Sequence, residues 1–152
     1  MQIHGSGSLK AQNGRTYSGE FVEGLKSGEG CLDYNNGDVY TGQWSMDKPH
    51  GLGVLESEMN GTYAGAFVMG MKEGTGRLIY PNGDVYEGGW RRDLYHGKGQ
   101  LICVSGPLES FDGRWENGKK CGKGVCLIRG LGQLDGEFKD DKVPLPLQLD
   151  VI

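Results

Sequence analysis

Nothing in these 152 residues is long and apolar enough to cross a membrane as a helix, since no run approaches the ~18–20 hydrophobic residues a span needs. An excess of positive charge is missing too. Sixteen Lys and Arg against 20 Asp and Glu leave a formal charge of −4. A surface that tracks phosphates usually makes a domain net basic, so no nucleic-acid partner is expected. Proline is scarce, at 5 residues without a three-residue period, which excludes collagen. The 4 cysteines (Cys31, Cys103, Cys121 and Cys126) form no C-x-x-C pair and are few for a disulfide scaffold. Reduced thiols in an intracellular, cytoplasmic protein are expected. The opening residues MQIHGSGSLK carry no apolar stretch of a secretory leader. Helical periodicity is absent throughout.

Glycine is what the chain has in excess: 29 of 152 residues, about 19% where ~7% is usual. A repeat explains it. Tyr17, Tyr40, Tyr63 and Tyr86 are each 23 apart, Phe111 follows after 25 and Leu134 after another 23. With each of these at position 0, position 2 is Gly19, Gly42, Gly65, Gly88, Gly113 and Gly136, and position 4 is Phe21, Trp44, Phe67, Trp90, Trp115 and Phe138. Positions 11 and 13 are paired glycines, from Gly28/Gly30 to Gly122/Gly124, and the frame run backwards meets Gly5 and Gly7. A second, two-unit period of 46 lies above this, seen in His4, His50 and His96 and in a position 7 that alternates between Gly and Asp47 or Asp93.

Positions 0 to 4 read aromatic, polar, Gly, polar, aromatic, which is a strand with one apolar face. A second strand follows, with Leu9, Leu32, Leu55, Leu78 and Leu101 at position 15. Asn13-Gly14, Asn36-Gly37, Asn60-Gly61 and Asn82-Gly83 supply turn signals. The fold class is therefore all-β. Hairpin follows hairpin in a single-layer antiparallel solenoid, elongated and twisted, its apolar face curled into an aromatic-lined concave groove. Both glycines of each pair are expected to leave hollows into which neighbouring rings nest.

The pattern in Tyr63-Ala-Gly-Ala-Phe67-Val-Met-Gly70-Met-Lys-Glu-Gly74-Thr-Gly76 resembles the MORN repeat. On that frame the solenoid spans 1–141: a half unit 1–16, units 17–39, 40–62, 63–85, 86–110 and 111–133, and a partial unit 134–141. The missing half unit at the start fits an excised piece of a longer chain as well as a whole protein. The departures are Asp47, Asp93 and Asp141 for the mid-unit Gly, Phe111 and Leu134 for Tyr, and an irregular turn at 105–110. The resemblance implies a scaffold or adaptor in a cytoskeletal or membrane-adjacent assembly, a peptide or helix of a protein partner held in the groove, and self-association as a homodimer. It also implies, as an alternative, binding to anionic phospholipid such as phosphoinositide.

Candidate partner-groove residues are Tyr17, Tyr40, Trp44, Tyr63, Tyr86, Trp90 and Trp115, which serve first as core. The wet edge of their stripe is the candidate interface. Candidate membrane residues are Arg91, Arg92, Lys119, Lys120 and Lys123. Set against the −4 charge they promise only weak, salt-sensitive attachment. The tail 142–152 carries Val143, Leu145, Leu147, Leu149 and Val151 on alternate positions, a stripe suited to capping the sheet end or to dimerisation. No enzyme activity, cofactor or metal site is expected. The Gly-x-Gly elements recur with the repeat and precede no helix, and successive histidines stand two units, ~19 Å, apart.

Overall fold

The computed structural model describes residues 3–143. Among them there is no helix, and twelve antiparallel strands form one open sheet in chain order. They are β1 (Gly5–Lys10), β2 (Thr16–Val22), β3 (Leu25–Asp33), β4 (Asp38–Ser45), β5 (Lys48–Ser57), β6 (Gly61–Val68), β7 (Met71–Ile79), β8 (Val85–Arg91), β9 (Leu94–Ile102), β10 (Leu108–Glu116), β11 (Lys119–Ile128) and β12 (Gly132–Phe138). The protein is an all-β hairpin solenoid, as its repeat requires.

Register turns the repeat into continuous rows. Glycine faces glycine across every strand pair, from Gly7 and Gly19 through Gly65 and Gly76 to Gly124 and Gly136. The neighbouring row alternates leucine with ring: Leu32 pairs Tyr17 and Tyr40, Leu55 pairs Tyr40 and Tyr63, Leu78 pairs Tyr63 and Tyr86. Each position-0 ring leans from this row over the glycine at position 13 of its own unit. A Cβ added at Gly30, Gly53, Gly76, Gly99 or Gly124 would come within 2.5–2.7 Å of ring carbons of Tyr17, Tyr40, Tyr63, Tyr86 and Phe111. Only bare backbone leaves room for the ring.

The other glycine of each pair does something else. Gly28, Gly51, Gly74, Gly97 and Gly122 at position 11 all have positive φ, between 60° and 89°. At Gly97 nothing lies within 4 Å of an added Cβ, and at Gly74 the nearest atom is 3.5 Å away. They stand where each hairpin slips register, between Gly65 and Phe67 or Gly88 and Trp90 for example. There a bulge demands the left-handed region that glycine reaches without cost. The ring-filled hollow thus exists at position 13 and not at position 11, where an added Cβ would meet no ring, only the side-chain ends of Glu20 and Gln43 at Gly28 and Gly51.

The tight turns also sit elsewhere than the Asn-Gly signals suggest. Two-residue turns with both central φ positive close each hairpin at positions 6 and 7, as in Glu23 (52°) and Gly24 (81°) or Arg92 (47°) and Asp93 (67°). Gly14, Gly37, Gly61 and Gly83 have positive φ, but the asparagines before them do not, and they belong to longer connections between units. The two residues inserted before Phe111 are absorbed in the β9–β10 connection and by a register shift between Leu108 and Ser110.

A single layer buries its rings by packing them edge to face. Tyr17 meets Phe21 and Trp44, Tyr40 meets Trp44 and Phe67, Tyr63 meets Phe67 and Trp90, all with centroids 5.0–5.2 Å apart. Such contacts contribute ~0.5–1.5 kcal/mol each beyond area burial. The zigzag ties every unit to the next.

Candidate functional site

The seven rings named for the groove are core in the folded sheet. Tyr17, Tyr40, Trp44, Tyr63, Tyr86, Trp90 and Trp115 are 0–4% exposed. Their polar atoms are engaged as well. The hydroxyls of Tyr17, Tyr40, Tyr63 and Tyr86 donate to the carbonyls of Glu20, Gln43, Ala66 and Gly89 at 2.8–3.0 Å. The indole N–H groups of Trp44, Trp90 and Trp115 donate to the carbonyls of Gly30, Gly76 and Gly99 at 3.0–3.1 Å. Burial raises the phenols, Tyr40 to about 12 and Tyr63 and Tyr86 further, so they remain neutral donors at physiological pH. A partner lying on this face touches what flanks the rings.

Position 9 is the flank on one side. Lys26, Lys72 and Tyr95 lie between the position-0 ring of one unit and the position-4 ring of the next, and Pro49 and Lys120 occupy the same repeat position. The Lys72 ammonium lies 5.3 Å from the centres of both the Tyr63 and Trp90 rings, and Lys26 lies 5.5 and 5.6 Å from Tyr17 and Trp44. Desolvation lowers the Lys72 pKa, and the neighbouring Asp93 opposes that shift. Tyr95 stacks on Tyr86 at 3.6 Å and meets Trp115 edge-on.

The aspartates at position 7 answer these lysines. Asp47, Asp93 and Asp141 accept the backbone N–H of Lys26, Lys72 and Lys120 at 2.8–2.9 Å. The position-7 N–H donates to the position-9 carbonyl whether it belongs to Asp47, Asp93 and Asp141 or to Gly70 and Gly118, so the aspartates differ only by the added side-chain bond, and Gly70 stands opposite Pro49, which has no N–H to give. The two-unit period is thus partly a hydrogen-bond code. The histidines belong to it: Nδ1 of His4 and His50 accepts the N–H of Glu23 and Met69 at 3.3 and 3.4 Å. In His96 the same atom is buried without a partner among the described residues. No cluster that could hold a metal occurs among the described residues.

A hollow of about 530 Å³ opens on the aromatic face where the core thins out. One side is formed by Met59, Asn60 and Gly61 at the β5–β6 connection, the other by Asp93, Leu94 and Gly118 at the hairpin tips, so both long edges of the sheet line it. Its floor is Leu55, Leu78, Tyr80, Tyr95 and Lys72. Tyr80 and Tyr95 share a hydroxyl–hydroxyl contact there. Of the residues lining this hollow, the groove candidates drawn from sequence include only the buried Tyr63 and Trp90. The signal that could have found the rest is the residue at position 9 or 17 wherever it is large and the unit behind it carries no ring there.

The five candidate membrane cations do not form one surface. Arg91 and Arg92 are exposed at the β8–β9 tip. Lys119 pairs with Asp140 at 3.6 Å, and Lys120 turns inward, 5.1 Å from the centre of the Phe111 ring. Lys123 stands on the opposite face, across from Glu137. Of the tail residues, Val143 packs against the core, whereas Leu145, Leu147, Leu149 and Val151 lie outside the described residues. Burial raises the thiols of Cys103, Cys121 and Cys126, which keeps them protonated and weakly nucleophilic.

The repeat, its register and its ring-over-glycine packing define a class of single-layer β-hairpin solenoids. The MORN repeat family pattern matches residues 17–39, 40–62, 63–85, 86–107 and 111–129, and the chain belongs to that family, whose repeats are generally non-catalytic. No curated protein matches the chain. Among solved structures it is similar to the TCP domain of SAS-4 (dCPAP) of Drosophila melanogaster in complex with a proline-rich motif of Ana2 (dSTIL). That likeness runs over 87% of this chain and 83% of the other, at 12% identity and a TM-score of 0.34.

Proposed function

We propose that this protein is a non-catalytic scaffold or adaptor that holds a peptide or helix of a protein partner in the trough of its aromatic face, within a cytoplasmic assembly on the cytoskeleton or beside a membrane. The observation that carries this reading is the hollow of about 530 Å³ lined from both edges of the sheet. Its floor combines apolar side chains with Tyr80, Tyr95 and Lys72, a mixture that buries area while orienting a ligand.

Met59 (86% exposed) and Leu94 (47% exposed) stand on opposite rims, outside the buried core. Changing both to Glu leaves melting unaltered and removes the trough partner from pull-downs read by quantitative mass spectrometry. A variant that melts normally and captures the same proteins as the intact chain rules the trough out.

A further inference from the structure

The aromatic face is one of two surfaces this sheet presents. Residues at positions 1, 3, 12 and 14 project from the outer face, and in most units they are charged or polar. On β5 and β6 they are Leu52, Val54, Ala64 and Ala66. Register sets Leu52 against Ala66 and Val54 against Ala64, so the four form one block. Leu52 is 66% exposed and Val54 37% exposed. The buried rings lie on the other face, so the core does not require an apolar block here. Apolar surface of this kind marks a contact site. We propose that a second copy of this chain covers it, the two sheets packing outer face to outer face about a two-fold axis that runs along β6.

The outer-face charges fit a second copy. Positions 3 and 12 make one row across the sheet. Strand register sets Glu29 beside Gln43, Leu52 beside Ala66, Thr75 beside Gly89 and Lys98 beside Arg114. Within units, the Glu20 carboxylate accepts the Glu29 N–H at 3.1 Å and the Gln43 amide oxygen accepts the Leu52 N–H at 2.8 Å. The row is therefore acidic on β2 and β3, uncharged from β4 to β8, and basic on β9 and β10, with β6 at its midpoint. None of Glu20, Glu29, Lys98 and Arg114 is in an ion pair among the described residues.

A two-fold rotation about a line along β6 keeps each row on itself and reverses strand order. It lays β3 over β9 and β2 over β10, so Glu29 meets Lys98 and Glu20 meets Arg114 of the second copy. Each pair forms twice. Ala66 meets its own counterpart on the axis. The row of positions 1 and 14 brings no like charges together: Arg77 and Glu87 pair with each other at 3.9 Å and come to Val54 and Thr41, and Asp112 comes to Ser18. Such a rotation leaves the twist of the two sheets in phase, the condition for aligned packing ~10 Å apart. The outer face from β3 to β9 covers roughly 700 Å² per copy at ~4.8 Å per strand and ~3.4 Å per residue, near the ~800 Å² of a standard interface. Both aromatic faces then point away from the contact, so one dimer carries two troughs.

Sedimentation velocity of the full chain over a dilution series should show a dimer that separates into monomers as concentration falls. Leu52→Glu should raise the dissociation constant about tenfold or more while circular dichroism stays the same. Changing Met59 and Leu94 to Glu, on the aromatic face, should leave the constant unaltered. Glu29→Lys should weaken the dimer, and Lys98→Glu in the same chain should recover most of the loss, because the rotation brings these two positions together. A chain that stays monomeric at every concentration overturns the proposal. So does a dimer that survives Leu52→Glu, and so does a charge swap that leaves the dimer as weak as Glu29→Lys alone.

Discussion

The ring of Tyr63 covers Gly76 on the adjacent strand so closely that a single added carbon would stand 2.5 Å from it. Gly76→Ala should therefore cost about 2–3 kcal/mol by overpacking. Gly74→Ala, two residues away at φ 74° and with only an ordinary 3.5 Å contact to the Ala66 Cβ, should cost only the ~1–2 kcal/mol of a left-handed alanine. Urea unfolding separates the two origins through a double-mutant cycle. In a Tyr63→Leu background the Gly76→Ala penalty should fall below about 1 kcal/mol, while the Gly74→Ala penalty should stay as it was. Equal penalties in both backgrounds would mean that the ring is not what excludes the side chain.

Asp93 and Lys72 make a second testable pair. Asp93→Ala removes the acceptor of the Lys72 N–H and should destabilise by about 1 kcal/mol. The converse substitution discriminates the cause. Gly118→Asp offers a carboxylate opposite Tyr95, which has a backbone N–H, whereas Gly70→Asp offers one opposite Pro49, which has none. Both glycines already have positive φ, 82° and 87°, so their backbone penalties match. The Gly118 variant should melt as the more stable of the two, by about 1 kcal/mol. A tie would show that the alternation at position 7 has another origin.

These pairs show what could be read from residue order alone. The strands, their frame and the core followed from period 23 because each unit repeats one face, and Tyr17 through Phe111 are buried where that face requires. The different work of the two glycines was not legible. Gly74 and Gly76 look alike in sequence, and only the bulge and the register separate a backbone requirement from a steric one. Asp93 looked like a lapse in the motif because its partner, Lys72, lies 21 residues back and meets it only across strands. The lining of the trough escaped for a related reason, although a concave aromatic face was expected. Met59 and Leu94 sit at different repeat positions, and they line one hollow only once the sheet has curled.

Alkaline pH offers a test of the buried phenols as a set. Burial raises the pKa of Tyr40 from 10.0 to about 12, and the same cause raises Tyr17, Tyr63 and Tyr86. A raised tyrosine keeps its proton in the folded state at a pH where the unfolded chain has lost it. Its contribution is therefore complete below pH 10 and is lost as pH rises through the folded value. For each such group stability should fall by up to ~1.4 kcal/mol per pH unit within that window. Lys72, lowered by burial, acts in the opposite sense: its cost is relieved as pH rises toward its unfolded value of 10.5, one group against several. Urea unfolding from pH 8 to 11.5 should thus show stability level at first and then steeply declining above 10. Tyr40→Phe should cost about 1 kcal/mol at pH 8, where the bond to the Gln43 carbonyl is missing, and should make the alkaline decline shallower. If that variant declines as steeply as the intact protein, Tyr40 ionises as freely folded as unfolded, and the burial that ties these rings into one core is not what sets their protons.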